Sequence, residues 1–143
     1  MSSRLSVQQV SFHSPARASI ASIRETVFVG EQEVPPELEF DGLDTCALHV
    51  LAYVDDQPVG TGRVLDDGHI GRVAVLKDFR GLGVGAGIVN ALAEEAKGAG
   101  CERAYLGAQL QAVPFYRKLG YTPYGEEFMD AGIPHIHMEK WLK

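Results

Sequence analysis

A run of glycines at alternate positions is the part of this sequence whose residue types point most directly to chemistry. Gly81, Gly83, Gly85 and Gly87 follow a short apolar segment, Ile70 to Leu76, and lead into a segment with helical periodicity. Glycines let the main chain turn sharply, and the lack of Cβ atoms allows a ligand to approach the backbone. The unpaired N–H groups of a helix's first turn point outward at the positive end of the helix dipole. The strand, loop and helix together therefore predict a cradle for a phosphate or diphosphate.

Several known glycine loops compete to explain this run. A P-loop is excluded because the sequence has no Gly-Lys-Ser/Thr. Gly81, Gly83 and Ala86 match the dinucleotide fingerprint, but too little sequence follows the loop for a full doubly wound nucleotide domain. Arg80, Gly83 and Gly85 match a third pattern, Arg/Gln-x-x-Gly-x-Gly/Ala, in which the guanidinium at the rim can pair with a phosphate. A loop without a ligand is the remaining alternative, and it would give no reason for glycines that each disfavour a helix by about 1 kcal/mol.

Composition and charge exclude several classes of function. The chain has 143 residues and a net charge of −6, and it has no basic stripe that would neutralise the phosphates of a nucleic acid. No apolar run approaches the ~18 residues of a membrane span. The first residues also lack the apolar core of a secretory leader, so we expect a cytoplasmic protein. Cys46 and Cys101 lack any ligand spacing, so we expect free thiols and no metal site.

The periodicity of apolar residues predicts one α/β domain over residues 1–143, with a mixed, mostly antiparallel sheet of about seven strands flanked by helices. The predicted strands are Leu5–Phe12, Ala47–Asp55, Pro58–Asp66, Ile70–Leu76, Cys101–Ala108, Tyr121–Phe128 and Ile133–Trp141. The predicted helices run from Pro15 to near Gly30, from about Gly83 to Lys97, and from Gln111 to Leu119.

A second motif lies between Gln109 and Tyr121 and is similar to the Asn-x-x-Ala-x-x-Phe-Tyr-x-x-x-Gly-Phe/Tyr of the GNAT superfamily of acyl-CoA N-acyltransferases. The matching residues are Ala112, Phe115, Tyr116, Gly120 and Tyr121. Gln109 stands where that family commonly has asparagine. The glycine loop also resembles the loop with which this superfamily holds the pyrophosphate of coenzyme A. Two further stretches, Val27–Pro35 and Phe128–Met138, resemble its ElaA-like branch.

The resemblance implies transfer of an acetyl group from acetyl-CoA to a small-molecule or peptide amine. It places the pantetheine arm along the predicted strand Ile70–Leu76, and relatives often form homodimers. The residues that we assign to coenzyme A are Val73, Ala74, Val75, Arg80, Gly81, Leu82, Gly83, Val84, Gly85, Ala86, Gln109 and Phe115. The alternative is a catalytically silent module that binds acetyl-CoA as a sensor or regulator.

Amide formation from a thioester raises two proton problems, because the amine must be neutral to attack and the leaving thiolate must be stabilised. Tyr116 is the candidate acid for the thiolate, since a phenol is protonated at neutral pH. Glu31 and His49 are candidate bases on the acceptor side, and His135 or His137 of the last strand are further candidates. A chain of water molecules without a dedicated base is also consistent with the sequence.

An acidic segment runs from Glu31 to Asp44, and prolines and a glycine interrupt it. Its carboxylates either attract a cationic amine to the mouth of the site or form a solvated loop. The acidic residues concerned are Glu31, Glu37, Glu39, Asp41 and Asp44.

Overall fold

The fold consists of seven strands and three α-helices in a computed structural model that describes residues 4–12, 15–34 and 42–142. The strands are β1 (Leu5–Val10), β2 (Leu48–Val54), β3 (Gln57–Val64), β4 (Ile70–Val75), β5 (Arg103–Gln109), β6 (Thr122–Asp130) and β7 (Ile133–Trp141). The helices are α1 (Ala16–Arg24), α2 (Val84–Gly98) and α3 (Val113–Lys118). The predicted α/β class and strand number are confirmed. Within those ranges, no helix combines the length and apolar character that a membrane span requires.

The strands form two antiparallel sheets that meet at one side. The first sheet has the order β1-β2-β3-β4, and the second has the order β5-β7-β6. A parallel bridge between His69 and Tyr105 joins them where β4 and β5 begin to run side by side. The parallel pairing that makes the sheet mixed, as predicted, occurs at this bridge. Beyond it, β4 and β5 belong to separate sheets.

The first helix differs from its predicted form in its second half. The α-helical spacing of α1 ends at Arg24, and a π-helical segment continues from Glu25 to Glu31. Val27 is buried within this segment, while Phe28 and Gln32 reach the gap between the two sheets. Such wide turns are rare in proteins, and those that occur are often found at functional sites.

Helices cover both faces of the first sheet. On one face, α2 lies so close to β3 that a Cβ atom on Gly62 would stand 2.7 Å from Ile88 and 2.8 Å from Leu92. The close approach explains the glycine, because any larger residue would push the helix away. On the other face, buried residues of α1 pack against Leu51 and Ala74. The sheet is thereby fixed from both sides, with the open edge of β4 left at the junction.

The acidic segment is described only in part. Glu37, Glu39 and Asp41 lie outside the described residues. Asp44 begins a short 3-10 turn and is only 6% exposed, so it does not belong to a solvated loop and does not face an acceptor at a mouth.

Candidate functional site

A cleft of about 410 Å³ opens where the two sheets separate. Counting along both strands from the His69–Tyr105 bridge, with the one extra residue of the β4 bulge allowed for, places Val73 and Ala74 of β4 at about the height of Gln109 of β5. Gln109 is in turn the register partner of His135 on β7. The residues that contribute to the walls include Phe28, Gln32, His69, Arg72, Val73, Gln109, Tyr116, Phe128, Asp130, His135 and His137.

The glycine loop forms an open cradle at the start of α2. Gly81 and Gly83 have φ angles of 81° and 84°, a region that disfavours residues with a side chain. A Cβ atom on either would meet no protein atom within 4 Å, so the space above the loop is open. No side chain caps α2, and its first main-chain bond runs from the Gly87 N–H to the Gly83 carbonyl at 3.0 Å. The amides of residues 84–86 therefore face the opening as donors to which no described residue is bonded.

Apolar side chains flank this cradle. Leu82 is 54% exposed at its tip, and Phe115 is 39% exposed. A Cβ on Gly85 would lie 3.4 Å from the Phe115 ring and 3.9 Å from Val75. The start of α2 thus sits between α3 and the end of β4.

The register of β4 decides which main-chain groups face the cleft. The Leu76 N–H donates to the Val59 carbonyl at 2.8 Å, so this pair is hydrogen-bonded. Because hydrogen-bonded and non-bonded pairs alternate along antiparallel strands, the main-chain groups of Ala74 face β3, whereas those of Val75 point to the open edge. Of the three β4 residues predicted to contact the pantetheine, Val75 therefore presents its N–H to the open edge, with its carbonyl bonded to Arg80, and Val73 lines the cleft.

A bulge interrupts β4 at Arg72 and Val73, which together lie opposite Gly62 of β3. The register between β3 and β4 shifts by one residue, and Arg72 has a φ of 53°. A non-glycine residue in this region stores strain, and such strain is common at functional sites.

Arg80 and Glu31, predicted as a phosphate ligand and a base, contact each other. The Arg80 Nε donates to the Val75 carbonyl at 3.0 Å, and its Nη2 donates to Glu31 Oε1 at 3.0 Å. The pair ties the end of the π-helical segment to the end of β4. The Glu31 carboxylate is partly exposed. It lies beside the cradle, and Glu31 does not line the cleft.

Tyr116 reaches the cleft from α3. Its ring makes edge contacts with Phe115 and Tyr121, at centroid distances of 5.0 and 6.0 Å. No described residue hydrogen-bonds to its hydroxyl. Burial raises the pKa of the Tyr116 phenol above its usual value, so the group stays protonated at neutral pH.

The amide of Gln109 is already engaged by the protein. Its Nε2 donates to Gln32 Oε1 at 3.2 Å, and its Oε1 accepts from Gln111 Nε2 at 2.6 Å. This link ties β5 to the residue that follows the π-helical segment. Gln109 lines the cleft. The predicted contact of its amide with coenzyme A would have to compete with these two hydrogen bonds.

His49 lies behind the first sheet and does not line the cleft. Its Nε2 lies 2.8 Å from the main-chain carbonyl of Asp44, and its ring stacks on Phe12 at 4.8 Å. Burial lowers its pKa, so the imidazole is held neutral. Asp44 Oδ1 also accepts bonds from Arg24 at 2.7 Å and Arg63 at 3.0 Å. His49 therefore belongs to a buried ionic network, and the geometry gives no support to its predicted role as a base.

The cleft contains three histidines, and sequence reasoning missed His69. It follows a turn in which Asp67 accepts its main-chain N–H at 3.1 Å, and its ring stacks on Tyr105 at 4.7 Å. Tyr105 also donates a hydrogen bond to Asp67, and burial together with this bond raises the pKa of Tyr105 to about 12. Burial lowers the pKa of His69. Only the register that joins the two sheets reveals this position, because His69 occupies an unremarkable turn in the sequence.

Comparison with known proteins agrees with this architecture. Residues 20–142 match the family model described as an acetyltransferase (GNAT) domain. The uncharacterized N-acetyltransferase YjcF of Bacillus subtilis is 48% identical over 122 residues, covering 82% of this chain and 87% of that protein. Protein ElaA of Escherichia coli is 33% identical over 130 residues, covering 85% of each chain.

Solved structures give the same result. A putative N-acetyltransferase from Lactobacillus plantarum has a TM-score of 0.87 at 29% identity, covering 97% of this chain and 99% of that one. Escherichia coli ElaA has a TM-score of 0.84 at 30% identity, covering 96% and 99%. The chain belongs to the GNAT family of acetyltransferases and is an acyl-CoA N-acyltransferase. Its similarity to ElaA confirms the predicted branch of that family.

Proposed function

We propose that this protein transfers the acetyl group of acetyl-CoA to a primary amine by direct attack, with Tyr116 as the general acid. One observation carries the proposal: the open edge of β4 and an unpartnered phenol line the same cleft, and the uncapped start of α2 lies beside it, between α3 and the end of β4. These features match the three parts of a thioester substrate, namely an extended amide-bearing arm, a diphosphate and a sulfur atom.

Binding of coenzyme A would use main-chain groups for most of its polar contacts. The diphosphate would accept hydrogen bonds from the amides of residues 84–86, with Gly81 and Gly83 leaving room for it. The pantetheine arm would extend along the Val73 and Val75 edge as an added strand. Arg80 keeps guanidinium hydrogens beyond its two protein bonds, and these remain available to a phosphate oxygen. The exposed side chains of Leu82 and Phe115, which flank the cradle, would contact the rest of the nucleotide and of the pantetheine arm.

In the reaction, the amine nitrogen attacks the thioester carbon and a C–N bond forms. The carbonyl oxygen gains negative charge, which a main-chain N–H such as that of Val75 would stabilise without reorganisation. The C–S bond then breaks, and the sulfur takes the phenolic proton of Tyr116. The burial that keeps this phenol protonated also ensures that it reaches the thiolate as a donor.

Thiol release measures this function directly. The protein is incubated with acetyl-CoA and a panel of amines, and free thiol is quantified over time with and without each amine. We expect thiol release that depends on both protein and amine, and we expect the acetylated amine in a mass spectrum. Binding of coenzyme A without release for any amine would contradict the proposal and would fit a sensor.

Gly83→Ala is expected to weaken coenzyme A binding by about tenfold, because the new Cβ would point into the space assigned to the diphosphate. The positive φ of 84° adds strain of about 1–2 kcal/mol for alanine. Titration calorimetry gives the Kd, and a thermal melt gives the stability.

The matched control is Gly98→Ala at the other end of the same helix, where an added Cβ also meets no neighbour within 4 Å. It should leave the Kd unchanged and raise stability by about 0.4–1 kcal/mol. Equal affinities for the Gly83 variant and the wild type would place the diphosphate elsewhere.

A further inference from the structure

We propose that His135 is the general base that takes the proton from the acceptor amine. This inference rests on the proposed acetyl transfer and assigns the second of its two proton steps.

The hydrogen bond of His135 fixes which nitrogen is free. The side chain is 8% exposed, and its Nδ1 lies 2.7 Å from the main-chain carbonyl of Ile133. A carbonyl oxygen only accepts, so Nδ1 carries a hydrogen and donates it. In the neutral imidazole the lone pair is then on Nε2, and no described residue occupies that atom. The ring is therefore anchored by one nitrogen and available through the other.

The ring that carries this free nitrogen lines the cleft and packs against Phe128 and Gly107. The imidazole stacks on Phe128 at 5.7 Å with an interplanar angle of 28°. A Cβ on Gly107 would lie 3.9 Å from His135 Cδ2, the carbon next to Nε2, and 3.1 Å from the Phe128 ring. Gly107 also lines the cleft. The missing side chain at Gly107 thus makes room for the Phe128 ring and for the edge of the imidazole that includes Cδ2.

The height of His135 matches the reacting end of the proposed substrate. His135 pairs with Gln109, which stands at about the height of Val73 across the cleft. Val75, two residues along β4 from Val73, is the residue whose outward N–H would hold the end of the pantetheine arm. An amine between the two strands would then have the thioester on one side and His135 on the other.

The other candidate bases are placed less favourably. Glu31 is bonded to Arg80 beside the cradle, and His49 lies behind the sheet. The His137 ring is enclosed between Phe128, at 4.4 Å, and Tyr124, at 5.5 Å. His69 stacks on Tyr105 at the closed end of the cleft, where the two sheets are still bridged.

The proton balance closes without a further reactant. One N–H bond of the alkylammonium breaks and an Nε2–H bond forms, while Nδ1–H stays bonded to Ile133. The neutral amine attacks, and the proton it sheds after C–N bond formation replaces, through solvent, the one that Tyr116 gives to sulfur. His135 then releases its proton, so each turnover yields one amide, one thiol and one proton.

Two variants separate catalysis from anchoring. In His135→Asn, the side-chain nitrogen can still donate to the Ile133 carbonyl, but no basic nitrogen remains. In His135→Gln, the amide extends toward the Nε2 position and the bond to Ile133 is lost. We expect both to lower kcat/KM for an alkyl amine at pH 7 by about 10²–10⁴-fold, with an unchanged Kd for coenzyme A. Thermal melts check that each variant is folded.

The choice of acceptor and pH supplies a second measurement. An alkyl amine has a pKa of about 10, so raising the pH lets solvent do the work of the base and should narrow the gap between variants and wild type. An aromatic amine, which is neutral at pH 7, should be affected much less than the alkyl amine at that pH.

The possible failures are distinguishable. Thiol release by the wild type and by His135→Asn at equal rates overturns this inference alone. A loss confined to His135→Gln, equal for both acceptors, would mean that His135 only anchors β7, and a loss confined to His69→Gln or His137→Gln would place the base there. No release by the wild type with any amine overturns the proposed function and this inference with it.

Discussion

Tyr116→Phe is expected to lower kcat by about 10²–10⁴-fold while leaving the Kd for coenzyme A nearly unchanged. The substitution removes the hydroxyl and keeps the ring, so the edge contacts with Phe115 and Tyr121 remain. Without a proton donor, the thiolate must leave unprotonated or wait for water to enter a mostly buried site. Steady-state kinetics of thiol release, with calorimetry for binding, measure both quantities.

Tyr121→Phe is the matched control for that variant. Tyr121 neighbours Tyr116, but its hydroxyl is fully buried and finds no hydrogen-bond partner among the described residues. Burial raises the pKa of Tyr121 to about 12. Removing an unsatisfied buried hydroxyl should keep the rate near that of the wild type and leave the protein equally or more stable. An unchanged rate for Tyr116→Phe would exclude Tyr116 from the mechanism.

Asp44→Asn is expected to destabilise the fold by about 3–5 kcal/mol. Arg24 and Arg63 are almost fully buried, and Asp44 is the carboxylate that both of them bond. The amide would remove the negative charge that both buried guanidinium groups contact at Asp44. For a chain of this length the melting temperature should fall by about 10 °C or more, as a thermal melt at neutral pH would measure.

Asp56→Asn provides the comparison for this change. Asp56 is an exposed turn residue with a φ of 71°, a conformation that asparagine tolerates. Its stability should stay within about 0.5 kcal/mol of the wild type. If the Asp44 and Asp56 variants had the same melting temperature, the buried network would contribute nothing to the stability of the fold.

The same network predicts how stability depends on pH. Burial alone would raise the pKa of the Asp44 carboxyl, but the bonds and charges of Arg24 and Arg63 outweigh it and hold the pKa below its usual 3.8. A carboxyl with a lowered pKa contributes stability above the unfolded value and loses it as the pH falls through the folded value. The gap in melting temperature between wild type and Asp44→Asn should therefore be constant near neutral pH and shrink below about pH 4. A gap that did not change down to pH 2 would contradict this assignment.

His49 adds an earlier step to the acid response. Its pKa is lowered from 6.5, mainly by burial, so the unfolded chain binds a proton more readily than the folded one. Stability should begin to fall as the pH drops below about 6.5, before the Asp44 step. Melts of His49→Gln across the same pH range should show a smaller first decline, because His69, whose pKa burial also lowers, keeps its own contribution.

Local patterns were sufficient to predict the cradle and the helix that carries Tyr116. The glycine loop is defined by residues within a few positions of one another, and its positive φ angles at Gly81 and Gly83 are what alternate glycines permit. The strands were predicted because apolar alternation and turn residues act over the same short range. The family resemblance rested on these same local motifs.

Contacts between distant segments could not be predicted in this way. Arg80 and Glu31 are 49 positions apart, and Arg24 and Asp44 are 20 positions apart. Asp44 looked like part of a solvated acidic loop because its neighbours in sequence are acidic, whereas two arginines from other elements decide its burial. The change from α- to π-helical spacing at Glu25 likewise depends on packing against the sheet rather than on local propensity.

The two sheets are bridged at His69 and Tyr105, and beyond this bridge β4 and β5 belong to separate sheets. This arrangement has a thermodynamic consequence. A pantetheine arm bound along β4 would supply hydrogen bonds that β4 and β5 do not make with each other there. Ligand binding and the stability of the junction between the two sheets would therefore be thermodynamically linked. The native state should therefore become harder to unfold as coenzyme A is added, by about 2.7 kcal/mol at a hundredfold excess over its Kd. Amide hydrogens of β4 and β5 should exchange more slowly under the same conditions.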